Sequence, residues 1–201
     1  KSAMLMRAAE MDVRCGSDDA AFEAAVDRLE QAVRLDPTNE AAGRLLEHLY
    51  RQKGRHEDVA GVLERLSDRG ETALSRISAG VRLARTYSQD LGDKERAARA
   101  YNNVLRDAPE HAEAKEFLSD LYSSAERWAD LVALYEREVK AKAGGDAERV
   151  GDMLQIAMLH WKKLEKPADA EPWFERIRKV EASNPGMLGF FREYCASLND
   201  D

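Results

Sequence analysis

The chain has 201 residues, of which 44% are hydrophobic and 34% charged, with only 5 prolines and 12 glycines; that excludes a disordered tail-like chain and supplies enough apolar surface for a buried core. A formal net charge of −7 argues against a general affinity for nucleic acid, whose binders gather positive charge on one face or groove. No stretch reaches the roughly 18 apolar residues that a membrane span needs, the longest uncharged run of note being 153 to 161.

Apolar spacing then predicts helices throughout. Helices 2–14 and 18–35 open the chain, the second carrying Phe22, Ala25, Leu29 and Ala32 on one stripe and ending at Asp36-Pro37. Helices 38–52 and 56–68 follow, joined by a turn at Gly54, with Leu46, Leu49 and Tyr50 on the first and Val59 and Leu63 on the second. Helices 71–90 and 93–107 meet at Gly92 and end at Ala108-Pro109, and helices 110–123 and 126–142 run to the open loop at Gly144-Gly145. Helices 147–164 and 167–182 come next, and after Asn184-Pro185 a last helix spans 186–198. The acidic pairs Asp18-Asp19 and Glu57-Asp58 stand at predicted helix starts, where carboxylates cap free backbone N–H groups and meet the positive end of the helix dipole.

The chain also repeats itself. A shift of 72 residues lays Pro37 on Pro109, Leu46 on Leu118, Leu49 on Leu121, Tyr50 on Tyr122, Val59 on Leu131 and Leu63 on Tyr135. Halving the period finds a third copy in Leu83, Ala84, Tyr87, Gly92, Ala97, Tyr101, Val104 and Pro109. The small Ala84 and Ala97 let two backbones approach, while Tyr87 and Tyr101 fill the space between neighbouring pairs. The run L-A-x-x-Y, Gly, A-x-x-x-Y, Pro resembles the tetratricopeptide repeat (TPR) pattern, with Glu47 and Ser119 standing where a small residue is usual.

That resemblance implies an all-α fold: a right-handed superhelical solenoid of antiparallel helix pairs, about eleven helices, in units 1–37, 38–70, 71–109, 110–145 and 146–185 plus a half unit 186–201. It implies a protein–protein interaction module or scaffold of the bacterial array type, holding a partner segment in a concave groove within a larger assembly. Two other readings stay open. Trp128 to Arg137 and Trp173 to Arg176 resemble the half-a-TPR helices of RNA-processing scaffolds, and the chain could be the non-catalytic arm of a larger enzyme.

No catalytic or cofactor-binding constellation is legible. His48, His56, His111 and His160 never form an i, i+4 metal pair, and His56-Glu57 lacks the second histidine of H-E-x-x-H. There is no C-x-x-C, and Cys15 and Cys195 lie at opposite ends, so no disulfide, metal or cofactor is expected. Trp128, Trp161 and Trp173 read as core packing.

The family's rule that first helices line the groove, counted from Tyr50, Tyr87, Tyr122 and Trp161, selects the candidate partner-binding residues. They are Arg44, His48 and Arg51; Arg85, flanked by Val81 and Ser88, with Arg82 beside them; Glu116 and Asp120; and Gln155, Leu159 and Lys162. The groove so composed is basic first, acidic in the middle and mixed towards the end. Its expected partner is a protein or peptide of mixed charge, with no nucleic acid and no direct membrane insertion. At the end of the chain, Phe191, Tyr194, Cys195 and Leu198 are expected to pack backwards, and Met187 and Phe190 to leave an apolar edge open to self-association. The expected compartment is the cytoplasm, or the periplasm if a signal segment lies outside this chain.

Overall fold

The computed structural model describes residues 1–15 and 19–199, with side chains over 1–13 and 19–196. Asp18 and the side chains of Cys15 and Leu198, for which the sequence carries expectations, lie outside the described residues. Among the described residues there are eleven α-helices and no strand. They fall into two compact units, Lys1–Ala108 and Pro109–Asp201.

The first unit holds α1 (Ser2–Cys15), α2 (Asp19–Leu35), α3 (Glu40–Gln52), α4 (His56–Arg69), α5 (Ala73–Arg85) and α6 (Lys94–Asp107). Its helix α3 starts two residues later than the proline suggests, because Asp36 accepts a hydrogen bond from the Thr38 amide at 3.2 Å and holds the chain in a turn first. Asn39 then caps α3, accepting from the Ala42 amide at 3.0 Å, while its own side-chain amide donates to Ser2 Oγ at 2.9 Å and ties the start of α3 to α1. Ala84 and Ala97 are fully buried, and Tyr87 and Tyr101 are 4% and 2% exposed, as close helix packing around small residues requires.

The second unit holds α7 (Ala112–Ser124), α8 (Trp128–Ala141), α9 (Val150–Met158), α10 (Pro167–Val180) and α11 (Pro185–Asn199). Its core gathers Met153, Ile156, Phe174, Ile177, Met187 and Phe190. Phe174 and Phe190 stack with ring centroids 4.4 Å apart, and Trp161 meets Phe190 edge-on at 5.4 Å. Here the structure corrects the expectation for the last helix: Met187 and Phe190 face inward and are 1% and 0% exposed, so they form no open edge. Among the described residues of α11, the large apolar side chain left exposed is Leu188, at 52% exposure.

The two long predicted helices 71–90 and 147–164 are each composite. Helix α5 continues into a π turn over Thr86–Asp90; a 3₁₀ turn over Asp146–Arg149 precedes α9, which continues into a π turn over Leu159–Lys163. The turn geometry explains why. In two pairs the amide five residues on returns to the aromatic residue's carbonyl, Arg55 to Tyr50 at 2.9 Å and Arg127 to Tyr122 at 2.8 Å. In the α5–α6 and α9–α10 pairs the returning amide is six residues on, Asp93 to Tyr87 at 2.7 Å and Lys166 to His160 at 2.8 Å. The additional residue of these pairs is taken up as a π turn, and the long repeats keep the same helix-to-helix register as the short ones.

Candidate protein-interaction face

A common device fixes α3 and α5 each to the helix before it. Tyr50 donates its hydroxyl hydrogen to the Glu30 carboxylate on α2 at 3.0 Å, and Tyr87 does the same to Glu64 on α4. Burial first, and then the hydrogen bond to Glu64, push the Tyr87 phenol up to about 12. The open ring face is covered by a guanidinium: Arg55 over Tyr50 and Arg96 over Tyr87, both at 4.6 Å, and in the second unit Arg127 over Tyr122 at 4.7 Å.

Between α3 and α5 the arginines selected from the sequence are anchored groups. Glu47, which departs from the small residue usual at its position, is 6% exposed and accepts hydrogen bonds from both Arg51, at 3.2 Å, and Arg82. Arg51 also donates to Thr86 Oγ1 at 2.8 Å and to Asp90 at 3.0 Å, so one buried carboxylate and one buried hydroxyl bind α3 to α5. Arg44 is exposed and donates to Glu40 at 2.7 Å. A hydrogen bond from Ser75, and then the Arg44 guanidinium, hold the Glu40 carboxyl below the usual carboxylate range. His48 is exposed and hydrogen-bonds Gln52 at 3.1 Å, and Arg85 is exposed on α5. Arg44, Arg82, Glu40, Ser75 and Ser78 line an open groove of about 590 Å³ over Leu66 and Ala79. Val81, placed by the sequence on the same outward stripe, is instead buried at 9% exposure.

In the second unit, Glu116 and Asp120 are exposed on α7. Ser119, the counterpart of Glu47, hydrogen-bonds the Tyr135 hydroxyl at 3.1 Å and carries no charge into the helix pair. Gln155 and Lys162 are exposed and Leu159 is half-buried, but the count that selected them began one residue late. Both the returning backbone hydrogen bond and the buried set Met153, Ile156 and Ala157 identify His160, rather than Trp161, as the counterpart of Tyr50 and Tyr87. Lys162 donates to Glu193 at 2.9 Å. Trp128 does not join the core, as the sequence suggested; it lies half-buried at the side of a groove with Lys163 above its ring.

Among the described residues no group of three or more His, Cys, Asp or Glu is placed to hold a metal ion, and no helix is long and apolar enough to cross a membrane. Cys195 is exposed.

Residues 86–146 match the family model described as tetratricopeptide repeat. Among solved structures, the chain is similar to a tetratricopeptide repeat protein from Parabacteroides merdae, with 22% identity over 94% of this chain and 72% of that one and a TM-score of 0.44. It is similar also to a MamA protein, with 15% identity, 90% and 92% coverage and a TM-score of 0.43. A third likeness is to pilF of Pseudomonas aeruginosa, with 14% identity, 87% and 76% coverage and a TM-score of 0.41. A search of curated proteins found no match. The matched segment contains Tyr87, Gly92, Ala97, Tyr101 and Tyr122, and the same helix-turn-helix hydrogen bonding recurs before and after it, which supports a tetratricopeptide repeat protein.

Proposed function

We propose that the chain is an interaction module of a multiprotein assembly, which holds a segment of another protein against its first helices. In the first unit the contact surface is Arg44, His48, Arg51, Arg82 and Arg85 on α3 and α5; in the second it is Glu116 and Asp120 on α7, with Gln155, Leu159 and Lys162 on α9 and its π turn. The observation that supports this best is the Glu47 network. A carboxylate buried between two helices and bonded to two arginines costs desolvation that an apolar pair would avoid, yet it fixes both guanidinium groups, that of Arg82 at the wall of an open groove. Groups held in advance lose little entropy when a partner arrives.

Arg44 and Arg85 are exposed, and they give the cleaner test. Crosslinking and mass spectrometry on the full-length protein in its own cells should place partner peptides on α3 and α5. Arg44→Glu with Arg85→Glu should weaken that partner and reduce its salt sensitivity while helix content is retained. A partner that binds the double variant as well as the parent is not held by this face.

A further inference from the structure

In the second unit, a groove of about 350 Å³ opens beside Trp128, Leu131, Tyr135 and Leu159, near the low end of the range for clefts that hold a ligand. The internal repeat shows that it is not a necessary product of the helix pair. Val59 and Leu63, which correspond to Leu131 and Tyr135 in the first unit, are both completely buried. At the later copy Leu131 remains as the buried floor, while Tyr135 is only half-buried and Trp128 stands where the earlier copy has His56. The π turn supplies the opposite wall, because it carries Leu159, Lys162 and Lys163.

The charge of the groove runs against that of the chain. The chain is formally −7, yet no carboxylate lines this groove and two lysines do. Lys162 is taken by Glu193. Lys163 has no carboxylate partner among the described residues; its ammonium lies 4.8 Å from the centroid of the Trp128 ring. A site with aromatic walls, a leucine floor and one uncompensated cation at its rim complements a large apolar side chain next to a carboxylate. We infer that this groove docks a linear segment of another protein in which a Leu, Ile or Phe is adjacent to Asp or Glu, the apolar side chain resting on Leu131 between Trp128 and Leu159 and the carboxylate meeting Lys163. The inference rests on the reading of the chain as an interaction module and names the partner chemistry of its second unit.

The test is selection of phage-displayed random linear peptides against the whole chain, followed by fluorescence anisotropy with the enriched peptides. Enriched sequences should pair a large apolar residue with an acidic one. Their affinity should fall about tenfold or more with Leu159→Asp, and several-fold with Lys163→Glu, and be unchanged with Lys94→Glu, a charge reversal at an exposed position of α6. Selection against Lys163→Glu should exchange the acidic residue for Lys or Arg, an outcome that does not depend on whether Leu159→Asp folds. Peptides indifferent to both groove substitutions but lost with Arg44→Glu would overturn the inference and leave the interaction reading standing on α3 and α5. Absence of enrichment, or a preference for free fatty acid over every peptide, would overturn it as well; the crosslinking experiment then decides the broader reading separately.

Discussion

At the scale of single residues, the positions that depart from the repeat pattern do the most specific work. Glu47→Ala removes the carboxylate that joins Arg51 to Arg82, and should lower stability by about 1–3 kcal/mol in urea unfolding. For the same reason Arg51→Glu should destabilise more than Arg44→Glu, since it sets a second carboxylate against a buried one. The left-handed turn residues form another set. Gly54 and Gly92 have φ of +67° and +68°, but Glu126 and Glu165 occupy the matching turns at 53° and 54°, where a side chain is strained. Replacing either glutamate by glycine should raise stability by about 1 kcal/mol, read as a shift in the urea midpoint. Tyr87 adds a pH dependence. Its phenol is raised in the folded state, so its stabilising contribution is whole below the unfolded value near about 10 and is lost as pH rises through about 12. Tyr87→Phe should therefore be less stable than the parent near neutrality, and its stability should fall less steeply above about pH 10.

At the scale of elements, the π turns let repeats of unequal length share one register. Deleting Gln89, an exposed residue inside the Thr86–Asp90 turn, should convert that turn to the shorter geometry seen after Tyr50 and leave a cooperative thermal transition close to that of the parent. Deleting His48, equally exposed but within regular helix α3, rotates every later residue of that helix by one position and should abolish the transition of the first unit. Equal effects from the two deletions, followed by circular dichroism, would show that the π turn carries no slack.

At the scale of the whole molecule, stability in a repeat chain is a sum of local packing terms between neighbours. Tyr87→Ala empties a buried aromatic site and should cost about 3–5 kcal/mol. Hydrogen exchange should then report faster exchange in α4, α5 and α6, while amides around Phe174 and Phe190 in the second unit keep their protection. Phe190→Ala should give the converse pattern, because that ring stacks on Phe174 and Tyr194 and is completely buried. Uniform loss along the chain in either variant would contradict nearest-neighbour packing.

The sequence by itself determined the helices and their pairing, since apolar spacing, small residues at close approaches and proline or glycine at helix ends are local properties that the chain must satisfy wherever it folds. Ala84, Ala97, Tyr87 and Tyr101 were legible as core for that reason. Only the tertiary structure decided which charges are engaged. Arg51 and Arg82 lie 31 positions apart in the sequence, and nothing local shows that both end on Glu47. Nor does local spacing show that the additional residue before Glu165 is stored as a π turn, which moved the count in the fifth pair from Trp161 to His160. The inward turn of Met187 and Phe190 was hidden likewise, because helical periodicity gives the angle between side chains on one helix and not the direction in which that helix meets the next.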